Sequence, residues 1–423
     1  MTDGDRRYDV VLWGATGFTG GLVAEHFARH HADDIAWAIA GRDRDRLAAL
    51  RDDLAEIDPG LDSLDVLTGD AFDRDSLADV AEQTTVVCST VGPYAKYGSD
   101  LVAACVDQRT HYCDLAGEVH WMQQMIDEHH ERARERGVRV VHGCGFDSVP
   151  SDLGTLLVQT HARDEYGPPC TSVRTYVSSE SFDVSELADA SSGGTMASMS
   201  GTYAARANDP QARRAIDNPY SLAPAGERSG PDDGIQMRPA YDETTGQWTA
   251  PFIMAGINEK VVYRTNALLD YPWSQAFQYS ETTPTGDGVA GAAVAAGKAV
   301  GLGAFVALMS AAPLRDLADE YLLPDPGEGP DRETIEESSF TVRLVGTGER
   351  PESGDQFTVE GLVTGDRDPG YGGAARMLAE SAVCLAVGDV DTQLPGGVLT
   401  PATGIGLPLA DRLDDHGMTF TVE

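Results

Sequence analysis

The run Asp9–Gly20, DVVLWGATGFTG, constrains this chain more than any other feature. A β-branched stretch over Asp9–Trp13 meets Gly14-x-x-Gly17-x-x-Gly20, and Leu22, Val23 and Phe27 then fall at helical spacing. Glycines so placed permit a tight turn, close approach of backbone to a pyrophosphate, and close packing of helix on strand. The helix N-terminus adds free N–H groups and a partial positive charge. Strand before and helix after is the context that separates a dinucleotide site from a plain glycine turn. Thr16, Phe18 and Thr19 lie between the glycines and complete the expected phosphate loop.

The next predicted strand, Ile35 to Ala40, ends in Gly41-Arg42. An NAD site usually carries an acid there to accept from the ribose 2′-hydroxyl. A guanidinium can instead grip a 2′-phosphate through two parallel hydrogen bonds. The reading is NADP, with NADPH favoured over NADH, Arg42 as the phosphate reader, and Arg44 and Arg46 on a solvated helix face. Alternation continues. Strands are expected at Leu64–Leu67, ending near Asp70 where adenine would lie, and at Thr85–Ser89, leading into Thr90-Val91-Gly92-Pro93-Tyr94. A helix over 99–108, a strand at His111–Leu115, a helix over 119–136 and a strand at Val138–His142 follow. Such alternation predicts an α/β Rossmann fold, a doubly wound parallel sheet with ligand at the strands' carboxyl ends.

GATGFTG, STVGPY, YCDLAGE (Tyr112 to Glu118) and GFDSVPSDLG (Gly145 to Gly154) together resemble the saccharopine dehydrogenase-like oxidoreductase family, closest to its trans-acting enoyl reductase branch. SGGTMAS (Ser192 to Ser198), PGEGP (Pro326 to Pro330), DPGYGGAARM (Asp368 to Met377) and LPGGVLTPA (Leu394 to Ala402) continue the likeness in order, so it spans nearly the whole chain. The resemblance implies an NADP-binding Rossmann domain at 1–150, an α+β substrate domain at 151–372, and a return segment at 373–423 packing on the first domain. It also implies reduction of a lipid-linked enoyl double bond made by a separate synthase. The true saccharopine enzymes work on an amino-acid imine, and a non-catalytic NADP-binding sensor or lipid-associated scaffold stands as an alternative of another class.

The nicotinamide end should lie past strands four to six, which makes Tyr94 the first candidate to orient nicotinamide or substrate, or to donate the proton. A purely structural turn at Pro93-Tyr94 competes with that role. Glu118, Asp147 and Ser148 come from neighbouring strand ends and rank second, while Asp114 and Asp152 read as helix caps. Thr90, Gly92 and Pro93 join the cofactor-binding set. His111-x-Cys113 and His142-x-Cys144 put His and Cys on one face of each strand, but that spacing closes a tetrahedron poorly and packed side chains are the preferred account. No metal is expected. His26 with His30, and His129 with His130, read as solvated helix faces.

Charge narrows the partners. The 423 residues hold 31 Lys+Arg against 68 Asp+Glu, a net charge of −37, with only three lysines (Lys96, Lys260, Lys298). Nucleic acid and anionic membrane faces are disfavoured. A halophile-like surface for a salt-rich cytoplasm follows, since screening removes self-repulsion. Six cysteines without a paired framework, and a strand within eight residues of the N-terminus, also point to a cytoplasmic location, with peripheral membrane contact as an option. Against this charge, Gly288–Ala312 is almost wholly small or apolar apart from Lys298. A buried helix is the leading reading, ahead of a lipid-chain contact surface and a shallow membrane association; a homodimer is also considered. An enzyme for saccharopine should show a convergent basic cluster, and only scattered arginines follow residue 150, so a lipid-like substrate is preferred. TSVRTYVSS, VVYRTNALL, FTVRLVGTG and QFTVEGLVTG read as strands of a mostly antiparallel sheet.

Overall fold

The computed structural model describes residues 6–179, 192–232, 234–313, 315 and 329–423. Pro326–Glu328 of the PGEGP motif lie outside them. Two seven-stranded sheets organise the chain. The first holds β1 (Tyr8–Trp13), β2 (Trp37–Gly41), β3 (Asp65–Thr68), β4 (Thr84–Ser89), β5 (His111–Asp114), β6 (Arg139–Val141) and, far along the chain, β13 (Gly397–Leu399). Every pairing is parallel, in the order β13-β6-β5-β4-β1-β2-β3. Between them run α1 (Phe18–His30), α2 (Arg44–Ile57), α3 (Arg74–Glu82), the single turn α4 (Tyr94–Tyr97), α5 (Ser99–Gln108) and α6 (Val119–Arg136).

The near-continuous apolar strands require cover on both faces. Val10 and Leu12 of β1 meet Val23 and Phe27 of α1, Leu47 of α2 and Leu378 of the Ala374–Val387 helix. Val11 and Trp13, on the opposite face, meet Leu77 of α3, Val102 of α5 and Met125 of α6.

The second sheet holds β7 (Ser172–Ser179), β8 (Ala240–Asp242), β9 (Gln247–Pro251), β10 (Gln278–Gly286), β11 (Phe340–Glu349), β12 (Gln356–Gly365) and β14 (Met418–Val422). Its order is β14-β12-β11-β7-β10-β9-β8, antiparallel except for the β7–β10 pair. β12 alternates exposed and buried residues, as a sheet with one wet face must. Its inner face packs on α7 (Val149–Tyr166), which leaves the first sheet at Ser148 and runs through residue 150. α8 (Gly193–Asn208), α9 (Pro210–Asp217), α10 (Ala255–Leu268) and α11 (Gly288–Ser310) complete the middle of the chain.

Three expectations change. VVYRTNALL lies in helix α10, not in a strand. Residues Asn258–Ala267 are buried all round, so no amphipathic period marks it and its β-branched content misleads. The 373–423 segment serves both sheets: β13 and the Ala374–Val387 helix join the first, whereas β14 is an edge of the second. Finally, α11 is not a buried helix. Only 17% of its most apolar window is buried, and Val289 and Val300 are 88% and 72% exposed. Among the described residues it is also long and apolar enough to cross a membrane by length and composition.

Candidate functional site

The glycine loop sits between β1 and α1. Gly14 has φ +92, where a side chain would be strained, and a Cβ there would fall 2.5 Å from Val91 Cγ2 and 2.9 Å from Thr90 Oγ1. At Gly20 an added Cβ would run into the Gly14 carbonyl and lie 2.9 Å from Ala15 Cα. Gly17 caps α1 without a side chain, so the first N–H groups of the helix, from Phe18 onward, point to whatever occupies the loop. The loop is thus a tight backbone turn in which a Cβ at Gly14 or Gly20 would strike the protein's own atoms, and its bare backbone suits the close approach of a pyrophosphate. Thr16 and Thr19 flank it, and Thr90 Oγ1 donates to Gly14 O at 3.1 Å, tying β4 to the turn.

At the end of β2, Arg42 is exposed and makes no ion pair among the described residues, because Asp43 is occupied capping α2 through Asp45 N and Arg46 N. Arg46 is not simply a surface residue: its Nη2 donates to Thr16 O at 3.0 Å, placing a second guanidinium against the loop. Asp70 accepts from Phe72 N at 2.9 Å. Phe72 is 65% exposed and its ring lies 5.5 Å from that of Tyr97, the two tilted by 56°, an aromatic pair beside the loop-side strand ends. Sequence reasoning passed over Phe72 and Tyr97; an exposed aromatic immediately after the β3 crest was the available signal.

The crest past β4, β5 and β6 brings Tyr94, Glu118, Asp147 and Ser148 together, in unequal roles. Tyr94 is buried. Its hydroxyl donates to Ser89 O and accepts from Leu115 N, both at 3.2 Å, and its ring stacks on Trp121. Burial, with Asp114 nearby, pushes that phenol well above its ordinary pKa. Tyr94 is therefore a brace between β4 and β5, and its proton is committed to the backbone.

Glu118 accepts from Tyr94 N at 2.6 Å and Ala95 N at 2.9 Å, and also bonds Ser198 of α8. It anchors the Gly92-Pro93-Tyr94 turn rather than facing a ligand. Glu118→Ala should leave the buried Tyr94 N–H without its acceptor, and the more exposed Ala95 N–H as well, and lower unfolding stability by about 1–3 kcal/mol, checked by denaturant unfolding in molar KCl.

Asp147 and Ser148 differ from these. Asp147 Oδ1 and Ser148 Oγ are both buried with no hydrogen-bond partner. Burial, and then the nearby Glu281, push the Asp147 carboxyl up to about 7. Gly117 keeps space open on this side, since a Cβ there would lie 3.9 Å from Asp147 Oδ2 and 3.0 Å from Ile257 Cδ1.

Behind Asp147 lies a polar cluster that no local motif announces. Glu281 of β10 accepts from Tyr279 Oη at 2.6 Å, from Asn258 Nδ2 at 2.9 Å and from Ser151 Oγ. Glu259 is pushed up to about 9 by burial and by Asp232 and Glu281. The buried cations of α10 are consumed locally: Lys260 donates to Gly256 O at 2.7 Å, and Arg264 to the carbonyls of Leu222 and Val398.

Asp114 and Asp152 are not simple caps. Asp114 Oδ2 holds His142 Nδ1 at 2.8 Å while Oδ1 accepts from Ala116 N. Asp152, inside α7, accepts from Ala402 N at 2.8 Å and from Thr265, joining three segments distant in sequence. His111 accepts from Arg139 N at 3.0 Å, so it and His142 have separate partners, and Cys113 and Cys144 are buried. His129 is buried, not solvated, and so is His26, beside His31 and Glu380.

α8 roofs the crest from the second sheet's side. Ser198 lies over Gly92, where a Cβ would be 3.2 Å from its Oγ. Tyr371 accepts from Ser192 N, its hydroxyl lies 3.1 Å from Thr195 Oγ1, and its ring meets Phe18 edge-on at 5.2 Å. The SGGTMAS motif is therefore linked to the glycine loop through Tyr371, which bonds Ser192 and Thr195 and meets Phe18.

Comparison with known proteins agrees with this geometry. Residues 10–141 match the family model described as the saccharopine dehydrogenase NADP binding domain. A trans-acting enoyl reductase of Mycobacterium tuberculosis (strain ATCC 25618 / H37Rv) is 34% identical over 435 residues, covering 99% of each chain. Another, from Mycobacterium ulcerans (strain Agy99), is 34% identical over 437 residues, covering 100% of this chain and 99% of its own. Apo saccharopine dehydrogenase (L-Glu forming) from Saccharomyces cerevisiae shares the fold, with TM-score 0.53 at 14% identity over 98% of this chain and 99% of that one.

Proposed function

The chain belongs to the saccharopine dehydrogenase-like oxidoreductase family, in its trans-acting enoyl reductase branch, and from that membership as an NADP-binding oxidoreductase we propose that it reduces the carbon–carbon double bond of a lipid-like enoyl substrate with NADPH. The observation that carries this reading is the pair of buried, unpartnered groups on Asp147 and Ser148 at the strand crest.

NADP fits the residues present. The Gly14, Gly17 and Gly20 cradle with Thr16, Phe18 and Thr19 would hold the pyrophosphate. Arg42, with Arg46, would hold the 2′-phosphate. Asp70 with Phe72 would border the adenine, and Thr90, Gly92 and Pro93 would border the nicotinamide side. Bound there, NADPH supplies the hydride.

The chain's own groups complete the reduction. Hydride addition at the β-carbon of an enoyl carbonyl leaves an enolate, which needs a hydrogen bond to oxygen and a proton at the α-carbon. Ser148 Oγ donates to the enolate oxygen, and Asp147, whose raised pKa keeps it substantially protonated near neutrality, delivers the proton. Tyr94 and Glu118 act as positioning residues by holding the Gly92-Pro93 turn against the roof.

Two observations favour a lipid-like enoyl over an amino-acid imine. The buried cations Lys260 and Arg264 already donate to backbone carbonyls, and the charged group nearest Asp147 is the acidic Glu281, a poor reception for a substrate with several carboxylates. The exposed apolar face of α11 also abuts the roof, with Phe305 meeting Tyr203 of α8 edge-on at 6.4 Å. We assign that face to the acyl chain rather than to a bilayer, because a surface of charge −37 repels anionic headgroups.

The test is NADPH consumption in molar KCl with long- and short-chain enoyl thioesters and with a cyclic imine. Turnover of the long-chain enoyl is expected. Turnover of the imine alone, or of neither acceptor by a folded protein that binds NADPH, overturns the reading. Arg42→Ala should cut the preference for NADPH over NADH by roughly 10- to 100-fold, the worth of a charge-assisted pair of hydrogen bonds, read by fluorescence titration with both nucleotides.

A further inference from the structure

Three imidazoles converge on one carboxylate oxygen at the end of α1 remote from the glycine loop. His26 Nε2 and His31 Nε2 each lie 2.7 Å from Glu380 Oε1, and His416 Nε2 lies 3.2 Å from the same atom. The four ligand atoms fall within 4.8 Å of one another. His26, His31 and Glu380 are buried, and the His416 side chain is 15% exposed at the rim. The rings are not stacked on one another: His26 and His416 meet edge-on at 5.0 Å, and His31 and His416 at 5.9 Å.

Hydrogen bonding alone explains this arrangement poorly. A carboxylate oxygen has two lone pairs, yet three ring nitrogens aim at Oε1 from three directions. The second oxygen is spoken for, since Arg412 Nε donates to Oε2 at 2.9 Å. One oxygen and three imidazole nitrogens thus face a common point, with the guanidinium fixing the carboxylate from behind. Outer contacts of this kind are what orient metal ligands: His31 Nδ1 also faces Asp34 Oδ2 at 3.8 Å. His30 covers the open side, its ring 4.7 Å from those of His26 and His416.

We propose that His26, His31, His416 and Glu380 form a site for a divalent transition metal, zinc by ligand type. Zinc bonds of about 2.0–2.1 Å to nitrogen and oxygen would set the four ligands roughly 3.3 Å apart in a tetrahedron. The two 2.7 Å contacts to Oε1 would open by about 0.6 Å, and ligand atoms as far as 4.8 Å apart would close by up to about 1.5 Å, both by side-chain adjustment. All four positions are filled by protein, so the site is structural rather than catalytic. It clamps α1 of the first sheet to the Ala374–Val387 helix and to the turn before β14, a strand of the second sheet. The ligands span positions 26 to 416, so the metal would close almost the whole chain into one loop. This inference is independent of the proposed reduction.

The test is titration of tag-free, chelator-dialysed full-length protein with Co²⁺ in molar KCl, where weak binding to the many surface carboxylates is screened. One equivalent of Co²⁺ per chain is expected, with the intense visible band of tetrahedral cobalt and three imidazoles in its X-ray absorption spectrum. Zn²⁺ should displace the cobalt stoichiometrically, and metal should raise the unfolding temperature. His416→Ala, at the rim, should abolish the band while NADPH binding reports that the chain is folded. The proposal is overturned if folded wild-type protein takes up no stoichiometric cobalt, or if the X-ray absorption spectrum shows an oxygen-only shell. A band that persists in a folded His416→Ala protein also overturns it.

Discussion

Asp147→Asn should lower kcat for enoyl reduction by roughly 10²- to 10⁴-fold, the usual worth of a positioned general acid, while leaving the Kd for NADPH unchanged. The amide keeps the shape of the side chain but cannot deliver a proton. In the wild type, activity should fall as pH rises through about 7, where the carboxyl that burial and Glu281 have pushed up loses its proton. That limb should vanish in the variant. Stability gives an independent check with a definite sign. The folded-state pKa of Asp147 lies above its ordinary value of 3.8, so its contribution is fully present below about pH 4 and is lost as pH rises through 7. Asparagine is neutral throughout, so the variant should gain stability relative to wild type between pH 4 and 8. Denaturant unfolding in molar KCl at stepped pH measures this. Unchanged kcat, or a stability difference that does not move with pH, would remove Asp147 from the proton-donor role.

The second large effect is steric. Gly20→Ala places a Cβ against the Gly14 carbonyl and 2.9 Å from Ala15 Cα, both backbone atoms that cannot swing aside. Prying α1 away from the loop should cost about 1–3 kcal/mol of stability, as overpacking does. NADPH binding should weaken by at least roughly tenfold, since a shift of about 1.4 kcal/mol in the cradle suffices for that. The neighbouring position is the control. A Cβ at Gly21 meets nothing within 4 Å, so Gly21→Ala should bind NADPH normally and stabilise α1 by up to about 1 kcal/mol through helix propensity. Calorimetric titration and thermal unfolding of the two variants together separate a local clash from a general effect of adding a methyl group. Equal affinities would mean that the loop does not hold the pyrophosphate.

Some of the site was legible because its logic is local. Gly14, Gly17 and Gly20 lie within seven residues between a strand and a helix, and each glycine answers a need of the backbone at that spot. The parallel strands could be read because burial on both faces demands apolar runs broken by turns. The place of Arg42 at the end of β2 was legible, but the reach of Arg46 back to Thr16 was not, because it depends on how α2 packs beside the loop. Tyr94 was over-read. A tyrosine after a strand crest looks available until the fold gives its hydroxyl two backbone partners.

What the sequence by itself determined is the nucleotide-binding half: a short glycine spacing, an alternation of strands and helices, and an arginine at a strand end, all set by interactions between near neighbours. Only the tertiary structure decided the rest. α10 has no period because it is surrounded, α11 is exposed because only a narrow stripe meets β9, β10 and α8, and Asp147 acquires its raised pKa first from burial and then from a glutamate 134 positions later. His26, His31, Glu380 and His416 become one cluster only when the last helices fold back onto α1. The physical reason is common to all of these. Burial, charge proximity and ligand convergence are properties of distance in space, and residues hundreds of positions apart carry no local pattern that records it.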